Sequence, residues 1–532
     1  MAEKKRVLVS DDLSEDGIAI LRRAPELEVD VRVGMKPEEL LAVIPGYHAL
    51  AVRSATKVTA QLFEAATRLE VVGRAGVGVD NVDLQAASRR GVVVMNTPGG
   101  SAVTVAELTL AMMFSLARQI PAATASVKSG KWEKKRFAGG HELSGKTLGV
   151  VGTGNIGSVV VERARAMRMK ALAYDPFISA EAAARLGVEL VPLDELLRRS
   201  DFVTLHVPLT EQTNHLLSTR EFALMKKGAF LVNCARGGIV DEQALAKALE
   251  SGQLGGAALD VFEKEPPAAD HPLFGQPNFV ATPHLGASTE EAQAAVALAL
   301  AEQLVDFLVR GEVKNAVNLP SVSREMLEIL GPHLALAERL GAIVGQMAPS
   351  HMTEFRVTLA GTVSEQPRRP IALAALRGLL AQGAEGPVND VSAPAVAKER
   401  GIELVEERSA EAKDFASLVT VTARGPEGIC SASGTLFGKH DPRLVRLDQF
   451  EVEAVPEGVL LVLRNRDVPG AIGQIGQCLG AAGLNIGRMA LSRRTLQKEA
   501  LAILNLDSAA PEKVLAELRG LSPILDVKQL RL

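Results

Sequence analysis

The run TLGVVGTGNIGSVVVERARAM, residues 147–167, constrains this chain more than any other segment. A short apolar stretch predicts a strand, three glycines follow at once, and an amphipathic helical pattern begins after them. Gly152, Gly154 and Gly157 form G-x-G-x-x-G, with Asn155 and Ile156 opening the helix. Glycines at these places let backbone approach a pyrophosphate. The helix start supplies free N–H groups and a positive dipole end for it. Asp175 closes the next predicted strand, 18 residues after Gly157. A carboxylate there suits the adenosine ribose hydroxyls and repels a 2′-phosphate, so NAD is expected rather than NADP.

The same alternation of β-branched runs and helical stretches extends to both sides. Before the motif stand RVLVS, EVDVRV, ALAVRS, EVVGRAG and VVVMNTP; after it stand KALAYDP, FVTLHVPL, FLVNCARG, AALDVF and FVATPHLG. This predicts an α/β chain with two doubly wound, Rossmann- or flavodoxin-like domains. A chain of 532 residues is too long for one core. The expected units are residues 1–98 with 287–315, then 99–286, then an α+β module over 320–452, and a last module over 457–532. That last module reads β-α-β-β-α-β, the ferredoxin-like split motif. The predicted helix from about 288 to 309 is expected to pack back on the first unit. The long apolar segment SAVTVAELTLAMMFSLARQI, residues 101–120, resembles a membrane helix, but Glu107 and Arg118 bracket only ten residues.

A net charge of −4 argues against nucleic acid as partner. Cys234, Cys430 and Cys478 are too few and too far apart for a disulfide framework or a metal cluster. With no signal peptide and no membrane span expected, the reading is a cytoplasmic protein without a metal.

Three motifs follow the dinucleotide fingerprint: NCARGGIVDE from residue 233, DVFEKEPP from 260 and TPHLGAST from 282. Arg236, Glu265 and His284 stand in them. A histidine titrates near working pH and can move a hydroxyl proton. A carboxylate can fix its tautomer, and a guanidinium can grip a substrate carboxylate through two parallel hydrogen bonds. The motifs resemble the D-isomer-specific 2-hydroxyacid dehydrogenases. The resemblance implies that these three are the catalytic residues. It places Cys234, Ala235 and Asp260 near the nicotinamide half of NAD. Val77, Val207, Gly286 and Ala287, with Arg236 and His284, join the cofactor's surroundings.

Narrower marks are AVRSATKVT from residue 51, VVGRAGVGVDNVD from 71 and PAATASVKSGKWEKKRF from 121. These are similar to the 3-phosphoglycerate-oxidising branch in its long form, whose final module is an ACT domain. By that resemblance Arg53, Ser54 and Arg74 bind 3-phosphoglycerate. Trp132, Lys134, Lys135 and Arg136 resemble an arm that reaches a second copy in a dimer or tetramer. Asn465, Asp467 and Asn485 fall where serine-inhibited members bind L-serine. In the intervening module Arg443 and Arg446 are basic, but Val455 stands where an anion site of some relatives expects arginine. Two other readings share the core motifs: a hydroxypyruvate or glyoxylate reductase, and an NADH-sensing corepressor. The regulatory-type tail and the lack of long flanking tracts weigh against both.

Overall fold

A computed structural model describes residues 3–348, 351–382, 386, 388–412, 414–494 and 498–532. Among them the strands form four sheets. The first is parallel, in the order Leu27–Val31, Lys5–Val9, Ala49–Val52, Val71–Arg74 and Val93–Asn96. Its central strand Ala49–Val52 is buried at every residue. That is why it reads as an unbroken apolar run rather than an alternation.

The second sheet is also parallel. Its order is Phe279–Ala281, Leu254–Leu259, Ala229–Asn233, Phe202–Leu205, Thr147–Val151, Lys170–Tyr174 and Glu189–Leu190. The chain winds outward one way from Thr147–Val151 and then the other way from Phe202–Leu205. The topological switch point therefore lies between these two strands, where doubly wound sheets open a crevice at their carboxyl ends. The helix Ala102–Arg118 covers one face. The sequence suggested that it continues further, but Gln119 turns left-handed (φ 51°). A second helix, Ile120–Lys128, leaves at 65°. Pro121 in its first turn has no N–H to continue the preceding ladder.

The helix Glu290–Val305 returns to the first sheet and crosses Glu15–Arg23. The crossing is so close that a side-chain carbon at Gly17 would lie 2.8 Å from the Ala297 carbonyl oxygen. The stretch Glu290–Arg310 is long and apolar enough to cross a membrane. Here its Val296, Ala297, Leu300 and Leu304 complete the first sheet's core instead. Residues 315–318 then zip onto the edge strand. Val317 N–H donates to Val94 (2.7 Å), and the Asn318 side chain accepts from Val94 N–H and donates to Val92. We therefore expect a fragment of residues 1–320 to fold and keep dehydrogenase turnover. One ending at 311 should lose several net hydrogen bonds of about 1 kcal/mol each and melt markedly lower. Circular dichroism melts and turnover of both fragments check this; equal melting would mean the returning segment adds nothing.

The third sheet is mixed and six-stranded, from Glu403–Ser409 at one edge to Phe450–Ala454 at the other. The helices Arg324–Met347 and Arg368–Leu380 cross above it through Gly341, Gly345 and Gly378. The fourth sheet is antiparallel, in the order Ile486–Arg494, Glu499–Leu506, Val459–Arg466, Ile524–Arg531. One face, with Leu461, Leu463, Ala502 and Leu504, packs on the helices Ala471–Ala481 and Glu512–Gly520. The alternate residues Leu460, Val462, Leu501 and Ile503 belong to the third module's core. The two modules thus share one interior.

Candidate active site

Strands Ala229–Asn233, Leu254–Leu259 and Phe279–Ala281 are successive neighbours, so their carboxyl ends lie side by side. Arg236, Asp260 and His284 follow those three ends. Backbone hydrogen bonds tie the loops together: Asp260 N–H donates to Asn233 (3.0 Å), and His284 N–H donates to Asp260 (2.9 Å). The Asn233 side chain donates to the Arg236 carbonyl (2.9 Å) and accepts from Ala235 N–H.

His284 Nδ1 lies 2.7 Å from Glu265 Oε2. The other carboxylate oxygen accepts the Phe262 N–H at 3.0 Å, so Glu265 is held at both ends. With Nδ1 donating to a carboxylate, Nε2 is left with its lone pair outward, the tautomer a general base needs. Both side chains are substantially exposed. His284 also has a left-handed backbone, φ 55°. A non-glycine residue is strained there, by about 1–3 kcal/mol. The loop keeps that shape because Asp260, only 1% exposed, receives it. Its Oδ1 accepts from the Thr282 hydroxyl (2.6 Å) and Leu285 N–H (2.7 Å), and its Oδ2 accepts from Gly286 N–H (2.8 Å). Sequence reasoning put Asp260 near the cofactor; this work of bracing the histidine loop was missed.

Arg236 reaches across to the loop that follows Val71–Arg74. Its Nε donates to Asp80 (3.0 Å) and its Nη1 to the Ala235 carbonyl. A side-chain carbon at Gly78 would meet Arg236 Nη2 at 1.8 Å, and one at Gly76 would meet Arg74 Nη1 at 1.8 Å. The two glycines of AGVGVD make room for two guanidiniums. Arg74 is largely buried, and its Nε has no hydrogen-bond partner among the described residues. Burial, then the charges of Arg236 and Arg53, push it down to about 10, so it stays cationic at neutral pH. A buried cation with an unmatched donor beside two more cations asks for an anion. Arg53 sits on a loop fixed by Asp11, which accepts Arg53 N–H at 2.6 Å and both the N–H and hydroxyl of Thr56. Ser54 next to it is exposed. The roles of Asp11 and Asp80 went unread; an aspartate at a parallel strand's carboxyl end, as in VLVSDD, was the available signal.

The glycine loop lies at the switch point. Gly152 has φ 89°, and a side chain there would strike His206 and Val207 at 2.6 and 2.7 Å. One at Gly157 would lie 2.0 Å from the Gly152 carbonyl oxygen. Gly154, by contrast, faces open space just before the helix Asn155–Ala166. That is the opening a pyrophosphate needs. Asp175 accepts from the Thr153 N–H and hydroxyl (both 2.8 Å) and Phe177 N–H (3.0 Å). Burial pushes its carboxyl up, but these hydrogen bonds outweigh it and hold Asp175 below the usual carboxylate range. The cradle fits NAD. Cys234 is buried against Met112, and burial pushes its thiol up to about 12, which leaves it inert packing. Ala235 and Gly286 are buried, and Val77, Val207 and Ala287 partly so. Val77 O accepts from the Asn96 side chain on the neighbouring strand.

Two family models match: the NAD-binding domain of D-isomer specific 2-hydroxyacid dehydrogenases over residues 110–286, and the D-3-phosphoglycerate dehydrogenase intervening domain over 329–448. The chain is 44% identical over 528 residues to D-3-phosphoglycerate dehydrogenase of Synechocystis, covering 99% of this chain and 95% of the relative. It is 45% identical over 529 residues to that of Methanocaldococcus jannaschii, covering 99% and 100%. The chain belongs to the D-3-phosphoglycerate dehydrogenase family. It is an NAD-dependent dehydrogenase. Among solved structures, D-lactate dehydrogenase from Aquifex aeolicus, complexed with NAD and lactic acid, is 29% identical with a TM-score of 0.53. That match covers 59% of this chain and 100% of the other.

Trp132 is 84% exposed, and Lys134, Lys135 and Arg136 are exposed beside it. In the last module, Asp467 is bound by Arg493 (2.9 Å) and Asn485 donates to Asp507 (2.7 Å). Asn465 is buried with its carbonyl oxygen unpartnered among the described residues. Strand register separates Asn485 from the other two. Ile486 lies opposite Leu506, and Arg466 lies opposite Glu499. Asn485 is thus at the other end of the sheet from Asp467, on the order of 25 Å away at about 3.3 Å per residue. In the intervening module Arg443 pairs with Asp441 and Arg446 with Glu451.

Proposed function

We propose that this enzyme oxidises the C2 hydroxyl of 3-phospho-D-glycerate to 3-phosphohydroxypyruvate, the step that opens L-serine biosynthesis, in the cytoplasm. The observation that carries the reading is the His284–Glu265 pair above three strand ends, with Arg236 of that group reaching over to Arg53 and Arg74. NAD supplies the acceptor for the hydride that leaves C2. His284 Nε2 takes the proton from O2 as the carbonyl forms and returns it in the reverse direction. Glu265 stabilises the resulting imidazolium and keeps the ring aimed. Arg236, held by Asp80 through Nε, offers Nη2 to the substrate carboxylate. Arg53 and Arg74 take the phosphate, joined by Lys134, Lys135 and Arg136 from a second copy of the chain.

The direct test is NADH oxidation with phosphohydroxypyruvate, against hydroxypyruvate and glyoxylate. Strong preference for the phosphorylated substrate is expected. Equal use of all three would favour a general hydroxypyruvate or glyoxylate reductase. Asp175 sets cofactor choice: Asp175→Ala should weaken NADH binding and narrow the preference over NADPH, read from kcat/KM with each. A wild type indifferent to the 2′-phosphate would sink this role.

L-serine is the proposed effector, bound between the last modules of two copies. Asp467 suits the serine ammonium and Asn485 its carboxylate or hydroxyl. Since one chain holds these at opposite ends of its sheet, a site containing both needs a partner related by a two-fold axis. Arg493 must then release Asp467. Calorimetry should find L-serine binding at or below millimolar concentration in the wild type and none in Asp467→Ala; a silent wild type would leave the module purely structural.

A further inference from the structure

A cavity also opens away from the catalytic residues. It is a cleft of about 750 Å³ where the core's returning segment meets the intervening module. Its walls are the segment around Lys314 and Val322, the start of the helix Arg368–Leu380, and the edge strand Glu403–Ser409. Four basic side chains line it, Lys314, Arg368, Arg369 and Arg408, against the single carboxylate of Glu406.

The internal pairing leaves part of that charge unanswered. Lys314 is bound by Asp306 (2.6 Å) and Glu312 (3.4 Å), and Arg369 by Glu406 (2.6 Å). The side chains of Arg368 and Arg408 make no hydrogen bond or ion pair with any described residue. Arg368 and Arg369 also occupy the first turn of a helix that has no acidic residue there. Cations at a helix's positive end are repelled by the dipole, which leaves them favouring an anion. Apart from Asn315, Ser321 and Ser323 the rest of the lining is apolar, with Met326, Pro367 and Pro370 among it. A cleft of this size, apolar with a few convergent charges, has the character of a small-ligand site.

We propose that this cleft binds an organic anion: a phosphate or carboxylate headgroup, held by Arg368 and Arg408, on an apolar body that lies against Met326 and the prolines. Such a ligand bridges the catalytic core and the intervening module. It would rest on the strand-like segment that Asn96 receives, through the Asn96 N–H to Asn315 carbonyl bond (3.2 Å).

The test is calorimetry of the full chain with phenyl phosphate, which carries both parts, with inorganic phosphate (headgroup alone) and phenol (body alone) at matched ionic strength. The doubly substituted Arg368→Ala/Arg408→Ala protein is compared with the wild type, and Arg53→Ala marks binding at the catalytic site. Phenyl phosphate is expected to bind more tightly than either part. At least a tenfold loss is expected in the double variant, with its turnover unchanged, and no comparable loss at this site in Arg53→Ala. Both arginines are exposed, so their removal leaves the fold intact, and retained turnover reports this. Undiminished binding by the double variant, loss confined to Arg53→Ala, or no binding by the wild type overturns the site.

Discussion

His284→Ala is expected to lower turnover at saturating substrate by roughly 10²- to 10⁴-fold, the range that a positioned acid–base group supplies. The proton on O2 must leave as the hydride leaves C2, and Nε2 of His284 is the lone pair that the Glu265 contact leaves available. Without the ring, water must take that proton unaided. Substrate affinity should change little, because Arg53, Arg74 and Arg236 stand on other loops. Glu265→Gln keeps a hydrogen bond to Nδ1 but removes the charge that stabilises the imidazolium, so its loss should be smaller. Arg236→Lys should act mainly on KM, since a lysine cannot hold Asp80 and a carboxylate together in a planar fork. Stopped-flow turnover with phosphohydroxypyruvate separates these outcomes. A His284→Ala protein within a factor of ten of the wild type would remove His284 from the chemistry.

The cofactor cradle was legible because everything it needs is local in sequence. Strand, glycines, helix start and Asp175 lie within about thirty residues, and each carries its own backbone logic. The presence of the other strands in that sheet also followed from alternation; their spatial order did not. Arg236, Glu265 and His284 were legible as motifs, and parallel strand ends brought their loops together. What escaped were the braces. Asp11, Asp80 and Asp260 act on residues 42, 156 and 22 to 26 positions away, and no local pattern signals such a contact. The shared interior of the third and fourth modules had a signal that went unused. VLLVL and ALAIL are unbroken apolar runs, as strands buried on both faces require. A free-standing ferredoxin-like module would alternate. The break at Gln119 went unread because Pro121 is as acceptable in a first turn as it is disruptive later.

The second large effect is expected from Asp260→Ala, a residue that need not touch the substrate. Its two oxygens receive a hydroxyl and two backbone N–H groups of the loop 282–286, in a place 1% exposed. Removing the acceptor orphans three donors, each worth about 1–3 kcal/mol when buried and unmet. The loop can recover only by moving toward water. It also carries the strained backbone of His284, φ 55°, and these contacts are what oppose its relaxation. Once they go, the ring should shift away from its aim at O2. A misplacement of about 1 Å costs on the order of 10²-fold in rate. Turnover should therefore fall about a hundredfold while KM for the phosphorylated substrate holds. The melting temperature should drop by several degrees, as expected for a loss of more than 1 kcal/mol. Asp260→Asn discriminates a brace from a charge: its one remaining acceptor can still serve the Thr282 hydroxyl and Leu285 N–H, but its amide faces the Gly286 N–H donor against donor. It should lie between wild type and alanine in both rate and melting temperature. An Asp260→Ala enzyme with unchanged turnover would show that the loop holds His284 in place without it.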